Sequence, residues 1–181
     1  AKAESVLKEG LTLAPRDARL HFRLGVVYDK WNRKEDSIAS MRTVLALEPE
    51  NAAALNYLGY TFADLGRNLD EAERLVQAAM KHKPDDGYIT DSLGWVYYKM
   101  AEERFEASRL LLEQQFISED EFKRDEIELL RASSRLEQAR LAKVTYEKYD
   151  RAMQQERLMA DIQRAKDKQR ETRERHDREI E

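Results

Sequence analysis

The feature that most constrains this chain is a period. Leu24-Gly25 followed by Tyr28, Leu58-Gly59 followed by Phe62, and Leu93-Gly94 followed by Tyr97 recur at steps of 34 and then 35 residues. Pro15, Pro49 and Pro84 recur with the same steps, each just ahead of a helix start, where a missing N–H costs least. A pattern held at this spacing implies stacked units, each burying one face against the next. Composition agrees: 38% of residues are charged, with only 6 Gly and 3 Pro, which suits long helices rather than a turn-rich sheet.

Each unit reads as two amphipathic helices. In the second, Ala54 to Leu65 is the first helix, Gly66 supplies a left-handed turn, and Asp70 to His82 is the second. Gly25, Gly59 and Gly94 lie inside helices, where Gly costs about 1 kcal/mol relative to Ala, so a close-packed neighbour is expected at each. Leu-Gly-x-x-Tyr, a small residue early in the second helix (Ser37, Ala72) and a closing Leu-Glu-Pro or Lys-Pro resemble the tetratricopeptide (TPR) family over residues 1–100. The chain enters with a lone second helix, Ala1 to Leu13, and the third unit loses its pattern after Met100.

The resemblance implies a concave face, built by the first helix of each unit, that grips a protein or peptide. On this chain that face comprises Arg19, Phe22, Val26 and Lys30, then Asn56, Tyr60 and Asp64, then Tyr88, Asp91, Trp95, Tyr98 and Lys99. Its aromatic members either anchor a peptide or pack against the next helix. Of the carboxylate clamp used by some relatives only Asn56 has a counterpart, so capture of a C-terminal carboxylate is not expected.

Where Asn32 and Gly66 turn the earlier units, the third has Ala101, a helix former that tolerates the left-handed conformation poorly. One helix from about Tyr88 to Gln114 is therefore predicted. Against it, Ala107 falls where a regular second helix would place its small residue. Ser118 with Glu121 forms a capping box for the next helix, and no Gly or Pro follows to Glu181.

The run Leu110-Leu111-Leu112-Glu113-Gln114-Gln115-Phe116-Ile117-Ser118, followed by Glu121-Phe122 and by Arg-Leu-Glu-Gln-Ala-Arg-Leu at 135–141, resembles, over residues 102–165, the coiled-coil hairpin of periplasmic adaptor (membrane-fusion) proteins, with the tip at Leu111, Phe116, Ile117 and Ser118. That family docks on an outer-membrane channel through a tip Arg, Leu and Ser. Leu111 and Ser118 match, but Ala107 stands where the Arg belongs, and Ser118 reads as a helix cap. Leu129, Ala132, Leu136 and Ala139 alternate by three and four, as a coiled-coil seam does. The preceding helix can cover this seam to about Leu141, so Tyr146, Tyr149, Met153, Leu158 and Ile162 need another partner: either the chain folds back near Asp150 or two copies pair through this stretch, the latter expected because nothing near Asp150 looks like a turn. Residues 166–181 are charged and expected to fray.

The fold class expected is all-α, a short TPR solenoid (1–100) continuing through a shared helix into a long antiparallel coiled-coil hairpin (101–181). The 32 basic and 36 acidic residues are interspersed, which argues against nucleic acid. No apolar run approaches the ~18 residues of a membrane span. His21, His82 and His176 lack metal-ligand spacing, there is no Cys, and no phosphate loop or nucleophile–base pair occurs, so neither a cofactor nor an enzyme is expected. Two functional readings follow. In the first, the chain is an engineered fusion of a TPR fragment with an adaptor-like coiled coil, a scaffold produced in a cytoplasm from parents of the bacterial periplasm or cytoplasm. In the second, it is a natural interaction module whose groove binds a peptide and whose coiled coil dimerises, in an envelope efflux or secretion assembly.

Overall fold

The computed structural model describes residues 2–180; the side chains of residues 150, 151, 154, 171, 172 and 174–180 lie outside the description, as does the third histidine, His176. Every regular element is helical: α1 Lys2–Leu13, α2 Ala18–Lys30, α3 Lys34–Leu47, α4 Ala52–Asp64, α5 Leu69–His82, α6 Gly87–Glu113 and α7 Glu119–Thr145, then a π-helical segment Tyr146–Asp150 and α8 Arg151–Ile180. The chain divides into two compact units, Ala1–Lys143 and Val144–Glu181.

The repeat period sets the helix starts. Asp17, Asn51 and Asp86, one per unit, cap α2, α4 and α6 by accepting backbone N–H bonds from Arg19 at 2.9 Å, Ala54 at 3.0 Å and Tyr88 at 2.9 Å. It also sets the core. Met41 and Val44 of α3, Leu58 and Phe62 of α4, Val76 of α5 and Val96 of α6 are all at least 98% buried. The recurring glycines are explained by close approach: a Cβ on Gly25 would stand 2.8 Å from Met41 Cε, and one on Gly59 would stand 2.6 Å from Val76 Cγ2 and 2.9 Å from the Ala72 carbonyl.

The helix ends follow one rule with one displacement. α2, α4 and α6 each finish in the same pair of turn bonds: Arg33 N–H to Tyr28 O with Asn32 N–H to Asp29 O, Arg67 to Phe62 with Gly66 to Ala63, and Phe116 to Leu111 with Gln115 to Leu112. The left-handed residues at these three ends are Asn32 (φ 59°), Gly66 (φ 61°) and Gln115 (φ 61°); Asn68 (φ 52°) takes the same conformation just before α5. The repeat spacing would put the third at Ala101, but it falls two heptads later. α6 is therefore one unbroken helix across Met100–Phe105. Because two heptads are a near-whole number of turns, the chain leaves α6 on almost the same face as it would have at Ala101.

α7 then returns along α6. Phe105 meets Phe122 with ring centroids 5.3 Å apart, Ser108 hydrogen-bonds Asp125, and Lys143 Nζ reaches Asp91 Oδ2 at 2.7 Å. Phe122, Asp125, Leu129, Ala132, Leu136, Ala139 and Lys143 form a shielded stripe on α7, spaced three and four apart, with Glu128 partly shielded beside it. Ala139 and Leu136 fill the space at Gly94, where a Cβ would stand 3.1 Å from Ala139 Cβ. They stand to Gly94 as Met41 stands to Gly25 and Val76 to Gly59. Ala107 is exposed, away from this seam.

In the second unit, α8 follows the π segment. The absence of Gly and Pro favours unbroken helix beyond Ser118; the structure interrupts the α pattern with the five π-helical residues. A π segment widens one turn and re-phases the side chains that follow.

Candidate functional site

The first helices α2, α4 and α6 carry the groove residues, and the structure sorts them into three settings. Phe22 and Val26 are half-buried at the α1–α2 end, lining a cleft with Val6 and Leu7. Phe22 also meets the edge of Tyr57 at 5.9 Å between centroids.

The middle of the face is α4. Tyr60 is 42% exposed, and its phenol is pushed up chiefly by burial, then by the carboxylates of Asp64 and Asp91. Asn56 is half-buried, with its side-chain oxygen shielded and without a hydrogen-bond partner. Beside it runs a network that links α2 to α4. Asp29 accepts from Lys34 Nζ at 2.7 Å and from the Tyr57 hydroxyl at 2.7 Å, and Lys34 also reaches Asp64 at 3.4 Å. Burial raises the Asp29 carboxyl, but the bonds from Lys34 and Tyr57 outweigh it and hold it below the ordinary range. Burial, then the bond to Asp29, raises the Tyr57 phenol well above its ordinary value. The repetition of the period does not reveal this network, because Asp29, Lys34 and Tyr57 have no equivalents of like charge in the other units.

The α6 end is divided. Trp95 stacks on Tyr98 with centroids 5.5 Å apart and planes 15° from parallel, and Lys99 Nζ lies 5.7 Å from the Trp95 ring. Tyr98 and Lys99 both donate to Glu102, whose carboxyl is lowered first by Lys99. The Trp95 indole Nε1 is shielded and has no acceptor. Tyr88 and Asp91, in contrast, are engaged by α7: Lys143 pairs with Asp91 and stands 5.2 Å over the Tyr88 ring. Sequence reasoning missed Lys143, because its partner lies across the whole hairpin.

At the hairpin tip Phe116 is 73% and Leu111 40% exposed, while Ile117 is half-buried. Ser118 and Glu121 form a capping box: the Ser118 N–H and O–H donate to Glu121 Oε2 at 2.8 and 2.9 Å, and the Glu121 N–H donates to Ser118 Oγ at 3.2 Å. In the second unit Tyr146 is half-buried, and Tyr149, Met153, Leu158 and Ile162 are exposed. No metal-ligating cluster of three or more side chains occurs among the described residues, and no described helix is long and apolar enough to cross a membrane.

Helix pairs stacked at a fixed period, with an aromatic and polar face on the first helix of each, define the class as a helical-repeat protein-interaction scaffold. The tetratricopeptide repeat family model matches residues 18–51. The TPR repeat-containing protein PA4667 of Pseudomonas aeruginosa is 41% identical over 98 residues, 54% of this chain. The chain spans only 17% of that relative's length. These two findings support the tetratricopeptide repeat family for the repeat region. A solved structure titled MamA MSR-1 C2 covers 75% of this chain and 67% of its own at 18% identity and a TM-score of 0.47, a likeness too low to build on.

Proposed function

We propose that the chain is a non-catalytic scaffold whose α4–α6 face holds an extended segment of a partner protein. The observation that carries this reading is a pair of shielded, unpaired polar atoms on that face, Asn56 Oδ1 and Trp95 Nε1. One is an acceptor and the other a donor, and a shielded polar group without a partner is costly. An extended backbone offers an N–H to the first and a carbonyl to the second, while Tyr60 and the Trp95–Tyr98 stack provide apolar contact. With Tyr88 and Asp91 already engaged by Lys143, the segment lies over Asn56, Tyr60, Trp95, Tyr98 and Lys99.

The test is selection of a random displayed-peptide library on the purified chain, followed by Asn56→Leu and Trp95→Phe. Trp95→Phe keeps the stack on Tyr98 and removes only the donor. A tenfold loss of retention in each variant supports the reading, and undiminished retention assigns both residues to packing. The same proposal gives the exposed Tyr149, Met153, Leu158 and Ile162, with Tyr146, to pairing of two chains. Light-scattering mass of the full chain against one ending at Thr145 checks it, and equal monomeric masses would refute it. Presentation of Leu111, Phe116, Ile117 and Ser118 to an envelope efflux or secretion assembly belongs to this reading as its cellular setting.

A second reading, an engineered fusion through a shared helix, is favoured by the unbroken course of α6 from the repeat markers Leu93-Gly94 into the hairpin. It predicts that residues 1–100 and 102–165 each fold alone. If the third unit was instead built as one piece, the 1–100 fragment loses the Ala139 and Leu136 contacts at Gly94, and its α6 exchanges amide hydrogens rapidly.

A further inference from the structure

The α4–α6 face carries several charged side chains, and each meets an opposite charge of the chain itself. On α4, Asp64 receives Lys34 at 3.4 Å, and Lys34 also binds Asp29 at 2.7 Å. On α6, Asp91 receives Lys143 at 2.7 Å, and Lys99 pairs with Glu102. The bond to Glu102 raises the Tyr98 phenol most, and Arg140 of α7 works against that rise. Arg140 itself pairs with Glu137 at 4.0 Å. Tyr60 stands amid these charges. Burial raises its phenol most, Asp64 and Asp91 raise it further, and Lys143 and Lys34 lower it.

The shielded atoms left without a partner on this face are of another kind. Asn56 Oδ1 and Trp95 Nε1 are uncharged, one an acceptor and the other a donor. Around them the face offers ring surface: Tyr60, which is 42% exposed, and the stack of Trp95 on Tyr98. A charged side chain laid here would lose water and find each opposite charge engaged, so it would have to break a pair or lie unmatched. An uncharged side chain meets no such penalty.

We propose that this face selects uncharged segments: its occupant is an extended stretch of a partner protein whose contacting residues are apolar or aromatic, with no Asp, Glu, Lys or Arg among them. The inference rests on the reading of the α4–α6 face as a groove and adds the chemistry of what that groove accepts. Affinity comes from hydrogen bonds to the segment's backbone and from ring contact, so it is nearly independent of ionic strength. The ion pairs of the face act in selection, because they leave no charge on offer to an acidic or a basic segment.

The experiment uses the full chain and peptides selected on it from a random displayed library, synthesised with a fluorescent label. Their affinities are read by anisotropy between about 0.05 and about 0.5 M NaCl. The selected core should be uncharged, and its Kd should change less than about twofold over that range. Replacing one core residue by Asp should weaken binding at least tenfold. On the protein, Glu102→Gln leaves Lys99 without its ion-pair partner, so it should restore several-fold of the affinity of the Asp-bearing peptide and give no gain for the uncharged one. Far-UV circular dichroism checks that this variant keeps its fold. A charged consensus, a tenfold loss of affinity at high salt, or a Glu102→Gln chain that does not favour the Asp-bearing peptide would each overturn the inference. If Asn56→Leu and Trp95→Phe still reduce retention in that event, the groove reading stands without it. Retention that survives both of those substitutions, or a library that yields no binder, would overturn the groove reading and the inference together.

Discussion

The first two repeats close locally and the third closes from a distance. Gly25 and Gly59 meet helices that begin a few residues after a left-handed turn, whereas Gly94 meets α7 only after the hairpin has run out and back. The geometry at the glycine is similar in all three, but what holds it differs. The local closures bury Met41, Val44, Phe62 and Val76 almost completely. The distant one buries only Ala132, Leu136 and Ala139 on α7 and adds two polar contacts, Ser108 with Asp125 and Lys143 with Asp91. A repeat can thus be lengthened by whole heptads without losing its packing face, but it exchanges large apolar contacts for small and polar ones. The long closure should therefore be the softer part of the first unit.

The sharpest test compares the glycines. Gly59→Ala forces a Cβ against Val76 and the Ala72 carbonyl oxygen, and should destabilise the chain by about 2 kcal/mol in urea unfolding, even after the helix-propensity gain of about 1 kcal/mol. Gly94→Ala meets Ala139 at 3.1 Å on a helix able to shift, and the net change should stay within about 0.5 kcal/mol. Equal losses would mean that α7 is held as firmly as a local helix, and the comparison would break.

Next comes the pair that ties α7 to the groove. In a double-mutant cycle, Lys143→Met with Asp91→Asn should give a coupling of about 0.5–1 kcal/mol, since both groups are partly exposed. No coupling would leave the other contacts between α6 and α7, among them Lys143 over the Tyr88 ring, to hold that end of the hairpin. Gln115→Gly should stabilise by about 0.5 kcal/mol, because Gln115 carries a side chain in the left-handed conformation. Asn32→Gly at the equivalent local turn should gain less, since Asn is favoured there.

The smallest effect is a pH slope. Asp29 is held below its ordinary range in the fold, so its stabilisation is present above about pH 3.9 and is lost as pH falls through its lower folded value. Tyr57→Phe removes one of its two donors and should flatten the acid limb of stability against pH. Tyr98→Phe should flatten it less, because Tyr98 meets Glu102 one turn away on its own helix, and Lys99 remains the main influence on that carboxyl. A larger change from Tyr98→Phe would place the pH-sensitive contact in the hairpin rather than between repeats.

Much of this was legible in the residues. The period located the helix starts just after Pro15, Pro49 and Pro84 and called for a close-packed neighbour at Gly25, Gly59 and Gly94, although it could not say that the neighbour of Gly94 would come from α7. Ala101 in place of a turn residue was enough to predict the continuous α6, and Ser118 with Glu121 the start of α7. The groove residues were also placed on the first helices by spacing alone. Spacing did not show how they would be used.

That division has a physical cause. Local structure depends on backbone propensity and capping, which act over a few residues, so the sequence by itself determined the helices, their turns and the repeat step. Whether a groove residue is free or engaged depends on what packs across it. Only the tertiary structure brought Lys143 to Asp91 and Tyr88 and left Asn56 and Trp95 shielded without partners. Those contacts join residues distant in the chain, and they depend on the length of the hairpin and the phase in which α7 returns.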